Sequence, residues 1–338
     1  MSQMRGTQSI EFDRAIYVSG FGAVVGKKEG EGPLGSCFDR IEVDPLCGCN
    51  TWEEAESRLQ TEAARLAVKK AGLSMKEIRV IYAGDLLAQC VASTFGLASL
   101  ERPLYGLFGA CSTMGEALSM ASMAVAGGDA DPVLALTSSH FGAAEKEFRF
   151  PLDYGNQRPL SASWTVTGSG ACVVTGKKGK VRITGLTTGK IVDFGLKDSQ
   201  NMGACMAPAA CDTISRNLAD FQRQPEDYDR IITGDLGQVG QQILFDLMRE
   251  EGWDICGQHM DCGREIFDPE NQDTHAGGSG CGCAASVLTG YILPRIASGE
   301  WKRILFVPTG ALMSKLSFYE GQSVPGIAHG VILEHEEG

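Results

Sequence analysis

The chain has 338 residues and 36.0 kDa, with 43% hydrophobic and 21% charged residues, enough apolar material for one large domain or two of ordinary size. Thirty Lys and Arg stand against 42 Asp and Glu, a formal net charge of −12 with no long basic run, which excludes general binding to nucleic acid or to an anionic membrane surface. A small anionic ligand remains compatible, because a local site can oppose the global sign.

Twelve cysteines are spread thinly among small apolar residues. Cys90, Cys172 and Cys205 read as small hydrophobes in a reducing compartment. Cys47-Gly-Cys49 and Cys281-Gly-Cys283 lack the spacing of a zinc finger. The opening MSQMRGTQSIEFDR has no apolar run of signal-peptide type, and no stretch has the length and apolarity of a membrane span. The expectation is a soluble cytoplasmic protein that can dock on a membrane through a partner.

In chain order, the apolar run Ala15 to Ala23 predicts a strand. Trp52 to Lys70 predicts a helix, with Ala55, Leu59, Ala63, Leu66 and Ala67 on one face, Thr51 as N-cap and Glu54 as its capping-box partner. Strands follow at Ile78 to Ala83 and Leu104 to Phe108. A small-residue helix runs over Ser112 to Ala126, closed by Gly127-Gly128, and strands follow at Pro132 to Thr137 and Trp164 to Thr175. The pattern then restarts: strand Val181 to Leu186, helix Asp212 to Phe221, strand Asp229 to Thr233, helix Gln238 to Glu250, helix Ala284 to Ile296 and strand Arg303 to Val307.

The two halves match piece by piece. YAGDLLAQ at Tyr82 to Gln89 resembles ITGDLGQV at Ile232 to Val239, and GACSTMGEALSMASMAVAGG parallels GCGCAASVLTGYILPRIASG, which puts Cys111 and Cys281 in similar places. The expectation is an internally duplicated α/β fold of helix-covered sheets with pseudo-twofold symmetry, residues 1–175 forming one half and 176–338 the other. The helix N-termini near the axis would share a cleft.

Leu107 to Ser112 is a strand entering a helix through small residues. Such an elbow exposes one side chain, and the backbone N–H groups and helix dipole at Cys111 and Ser112 would favour a thiolate or a bound anion. Asp85 and Asp235 share the motif GDL at a strand end, where a carboxylate either enters the cleft or caps the next turn. Asp85 is the stronger candidate because Cys111 lies in its own half. His140 follows a strand, and His275 lies with Ser279 on the glycine-rich approach to the second elbow. His140 would lie near the cleft or simply at a surface loop, and a Cys–His pairing would make a nucleophile and base or a dipolar wall for a carboxylate ligand. His259, His329 and His335 read as surface or structural residues. The Gly277 to Gly282 run is no phosphate-binding loop, since no GK[ST] follows it, and Gly20-Phe21-Gly22 is no dinucleotide fingerprint.

FGACSTMGEAL, WTVTGSGACVV, MGACMAPAACDTI and GCGCAAS together resemble the thiolase and beta-ketoacyl synthase superfamily, and within it the stage V sporulation AD proteins of endospore-forming bacteria. The likeness covers essentially the whole chain. It implies a thiolase-like fold with Cys111 in the nucleophile position. Two residues of the condensing enzymes are missing. Cys281 stands where their second elbow carries asparagine, and the loop GDLGQVGQQ has no histidine. Condensation would lose much transition-state stabilisation, so the resemblance implies a protein that is not an enzyme. The sporulation family implies a binder of dipicolinic acid, pyridine-2,6-dicarboxylic acid, taken up into the forespore with other stage V A proteins, some of them membrane-embedded. On that reading Asp85, Cys111, Ser112, His140, His275, Ser279 and Cys281 would line the ligand site, Asp85 would contact calcium arriving with the ligand, and no other cofactor is expected. The protein would be a homodimer made in the forespore and peripheral at the spore inner membrane. An acyl transferase using a Cys111 thioester and a purely structural subunit are the alternatives.

Overall fold

The computed structural model describes residues 2–149 and 157–337. Ten strands of its main sheet form two runs. The first comprises β1 (Tyr17–Gly26), β2 (Val80–Gly84), β3 (Leu104–Gly106), β4 (Val133–Ser139) and β5 (Gly168–Thr175). The second comprises β6 (Val181–Thr187), β7 (Arg230–Thr233), β8 (His259–Asp261), β9 (Arg303–Val307) and β10 (Gly330–His335). Their spatial order is β3-β2-β4-β5-β1-β6-β10-β9-β7-β8. Strand β1 runs antiparallel to β5, β5 to β4, and β4 and β2 continue in parallel to β3. The second run repeats this pattern strand for strand, β6 to β10, β10 to β9, then β9, β7 and β8 in parallel. The repeats meet at an antiparallel contact, Tyr17 opposite Arg182 and Val18 opposite Val181, which is where a pseudo-twofold axis must pass.

Strand periodicity fixes the layering, because successive side chains face opposite sides. In β4, Val133 and Ala135 enter one cluster and Leu134 and Leu136 another. In β9, Ile304 and Phe306 join the first cluster, while Leu305 and Val307 join a third. The shared central cluster holds two helices that start at the elbows, α3 (Thr113–Gly127) and α7 (Cys281–Val287). The outer face of the first repeat is covered by α1 (Trp52–Lys70) through Ala55, Leu59 and Ala63. That of the second is covered by α5 (Met202–Asp220) and α6 (Gly237–Glu250) through Met206, Ile214 and Leu244. Every strand pair with both faces covered is therefore rich in fully buried Val, Ile, Leu and Ala.

Several boundaries differ from the sequence expectation. Helix α5 begins ten residues before the predicted Asp212 and carries Pro208 inside it, because its Ala, Met and Cys face is buried against α6 and the second repeat. Among the short helices not anticipated are α2 (Val91–Ala98) and α4 (Phe141–Phe148). Thr51 caps α1 by accepting from the Glu54 N–H, but the Glu54 carboxylate takes the Asn50 N–H rather than closing the expected box. No helix among the described residues is long and apolar enough to cross a membrane.

Candidate functional site

The elbow before α3 is held by local bonds. Ala110 has φ +49°, a left-handed conformation that an alanine adopts only under constraint. The Thr113 hydroxyl accepts from Gly109 N–H (3.0 Å) and donates to Ala110 O (2.6 Å), and the Ser112 hydroxyl donates to Gly109 O (2.7 Å). Gly310, from the second repeat, presses on the same turn, where an added Cβ would lie 2.3 Å from Gly109 O. Cys111 is thereby fixed at the mouth of α3, 5% exposed, on the wall of a narrow cavity of about 50 Å³. Ala110, Thr165, Ser279, Gln200, Met202 and Met313 are among its other walls, so both repeats contribute.

The carboxylate beside Cys111 belongs to Asp235, across the axis. Its charge acts directly on the Cys111 thiol. Asp235 also accepts from Gly280 N–H (2.9 Å) and from the Thr309 hydroxyl (2.8 Å). Gly280 offers that N–H from φ +101°, with Ser139 Oγ only 2.7 Å from where its Cβ would be, so only glycine fits. Burial, the largest influence, pushes Asp235 up to about 7. Burial first, then the Asp235 charge, holds the Cys111 thiol well above its ordinary value. The elbow therefore carries a protonated thiol, not the dipole-stabilised thiolate that the sequence suggested. Desolvation and an adjacent acid outweigh one helix end here.

Asp85 was expected in this cleft because it shares a half with Cys111. Instead it is wholly buried and holds its own loop, accepting from Leu87 N–H (2.9 Å), Ser93 N–H (2.8 Å) and the Ser93 hydroxyl (2.6 Å). With three donors on a buried carboxylate, it does not fit a calcium contact. Ser112 and Cys281 are likewise buried behind the cavity wall. The Cys281 thiol donates to Ser138 O at 2.9 Å. Neither proposed histidine reaches the cavity. His140 caps α4, its Nδ1 accepting from Gly142 N–H and its Nε2 donating to Pro45 O, and burial lowers its pKa. His275 is held at φ +52° between Pro159 O and Asp273. His259, taken as surface or structural, is bonded to Thr233 and Gln241 behind the second repeat.

The charged pair in the cavity wall was missed. Glu145 and Arg149 are an i,i+4 ion pair at 2.5 Å on and just past α4, with side chains 6% and 11% exposed, and both line the Cys111 cavity. Desolvation raises the Glu145 pKa and lowers that of Arg149. The spacing in FGAAEKEFRF is the signal that could have found them.

A family model described as stage V sporulation protein AD matches residues 6–334. The stage V sporulation protein AD of Bacillus subtilis is 42% identical over 336 residues, covering 99% of each chain. The chain belongs to the stage V sporulation protein AD family. Among solved structures, 3-oxoacyl-[acyl-carrier-protein] synthase III from Aquifex aeolicus is similar with a TM-score of 0.57 and 16% identity, over 95% of this chain and 100% of that one. A Xanthomonas campestris OleA variant bound with cerulenin gives 0.62 and 14%, over 96% and 97%. The fold is thus the thiolase-like one of 3-oxoacyl synthase III, as the sequence resemblance implied. On it, this sporulation protein sets Asp235 of the GDL loop against the elbow cysteine.

Proposed function

We propose that the protein binds dipicolinic acid in the cleft between its repeats, at the Cys111 elbow, and takes part in uptake of that acid into the developing spore. The observation that carries the reading is the electrostatics of the cleft. A thiol kept protonated by burial and Asp235 is a poor nucleophile, whereas the buried Arg149 guanidinium on the same wall would take a ligand carboxylate in exchange for Glu145. A dicarboxylate placed there would set one carboxylate toward Arg149 and its ring against the apolar walls at Ala110, Met202 and Met313. The cavity is small for a ring, so side chains such as Met313 must turn aside on binding. Calcium would reach the site as part of the ligand, and no other cofactor is needed.

Membership of the sporulation family supports a role with other stage V A proteins, membrane-embedded ones included, and a place in the forespore at the inner membrane. The exposed edge strand β3, with Leu104 and Tyr105 bare and Phe108 just beyond, supports a homodimer formed edge to edge. The test is Cys111→Trp, which fills the cavity. A folded variant that no longer binds dipicolinic acid bears the reading out, and one that binds as the wild type does refutes it.

The second reading is acyl transfer through a Cys111 thioester. It rests on the likeness to condensing enzymes and on the retained elbow cysteine. It predicts a mass increase on Cys111 after incubation with acyl-CoA, which the protonated thiol argues against.

A further inference from the structure

A second, much larger cavity opens on the other side of Glu145, about 820 Å³ against about 50 Å³ at Cys111. Its walls come from the turn at Gly26 to Glu29, the first residue of α1, Trp52, the N-terminus of α4 and Arg158 with Trp164. The Trp164 ring stacks on Phe141 at 3.8 Å, and two cations lie against it, Lys28 Nζ at 4.2 Å and the Arg158 guanidinium carbon at 4.8 Å from its centroid. The Arg158 side chain is only 6% exposed. Its Nη2 donates to Asp273 O (3.1 Å) and Oδ2 (3.4 Å), while Nη1 is buried without a hydrogen-bond partner among the described residues. A buried guanidinium donor left unmade is costly, and a carboxylate is its natural complement.

Four carboxylates border the same space, and each has a partner of its own, although one oxygen, Glu145 Oε2, is buried without one among the described residues. Glu29 accepts from Thr167 N–H, Glu31 meets Lys27, Glu145 pairs with Arg149, and Asp273 holds the other arm of Arg158. They leave Arg158 Nη1 unanswered. Among the described residues, Lys28 Nζ has only the Gln272 carbonyl as hydrogen-bond acceptor. We propose that this cavity is a second ligand site, selective for a small carboxylate with a flat apolar body, with Arg158 and Lys28 taking the carboxylate and Trp164, Phe141 and Trp52 its body. Aromatic surface beside paired cations is the arrangement such a molecule requires, since a point anion would gain nothing from the rings.

The site stands apart from the Cys111 reading and is tested separately. The full chain is titrated with benzoate, benzyl alcohol and inorganic phosphate, read by calorimetry and by tryptophan fluorescence. The proposal predicts saturable benzoate binding, at least tenfold tighter than benzyl alcohol or phosphate. It predicts at least a tenfold loss in Arg158→Met, partial recovery in Arg158→Lys, a several-fold loss in Lys28→Met, and no change in Cys111→Trp. It is overturned by no benzoate binding, by equal affinity for benzyl alcohol or phosphate, by unchanged affinity in both the Arg158→Met and Lys28→Met proteins, or by loss of benzoate binding in Cys111→Trp.

Discussion

At the scale of single residues, the decisive pair is Cys111 and Asp235. A carboxyl whose pKa rises from an ordinary 3.8 to about 7 on folding holds more protons in the native state than in the unfolded one. Its favourable share of stability is complete below about pH 4 and is lost as the pH rises through about 7. The cost at neutral pH is on the order of a few kcal/mol. Asp235→Asn removes that dependence. The urea midpoint of the variant relative to wild type should rise from pH 4.5 to pH 7.5, and a difference that stays flat would contradict the assignment. The same substitution removes the charge that helps push the thiol up. Alkylation of Cys111 by iodoacetamide at pH 8 should therefore quicken by roughly three- to tenfold. The sequence showed both GDL aspartates and the elbow cysteine, but chose the wrong partner. Proximity in the chain favoured Asp85. Across the pseudo-twofold axis the loop that approaches Cys111 comes from the other repeat, and no one-dimensional pattern records that crossing.

At the scale of elements, the elbow is a strained turn kept in place by its neighbours. Gly310 is the most sensitive point, because any side chain would meet the Gly109 carbonyl at 2.3 Å, a backbone atom that cannot swing aside. Gly310→Ala is expected to destabilise by about 1–3 kcal/mol, as overpacking does, and to disturb the Cys111 wall. Ala110→Gly should be neutral or stabilising, since it relieves the positive φ. Chemical denaturation of both variants checks the contrast, and equal effects would show that the turn is not constrained as described. Helices with a single apolar face, such as α1, were legible almost to the residue, while α4 was missed. It has only eight residues, its cap is a histidine bonded to its own Gly142 N–H, and its polar pair Glu145–Arg149 is turned inward instead of out to solvent. A short helix with a buried Glu–Arg pair inverts the pattern by which helices are read.

At the scale of the molecule, the repeat was visible because the same elbow, helix and strand recur in the same order, and the sheet order bears this out strand for strand. The extent of the covering layers was not visible. Central helices α3 and α7 are nearly all small or apolar, and only the structure shows that each is enclosed by sheet on both sides. The outermost strand of the first repeat ends in bare apolar side chains, with Tyr105 61% exposed. If two copies pair there, sedimentation should give a dimer for the wild type and a monomer for Tyr105→Lys. A wild-type monomer at micromolar concentration would remove this interface.

The most direct test of the account is calorimetric titration of the purified protein with dipicolinic acid, with and without calcium. In the Arg158→Met protein, which lacks the second carboxylate site, the account predicts saturable binding near one ligand per chain that disappears when Cys111→Trp is added. No heat and no thermal shift under either condition would contradict it.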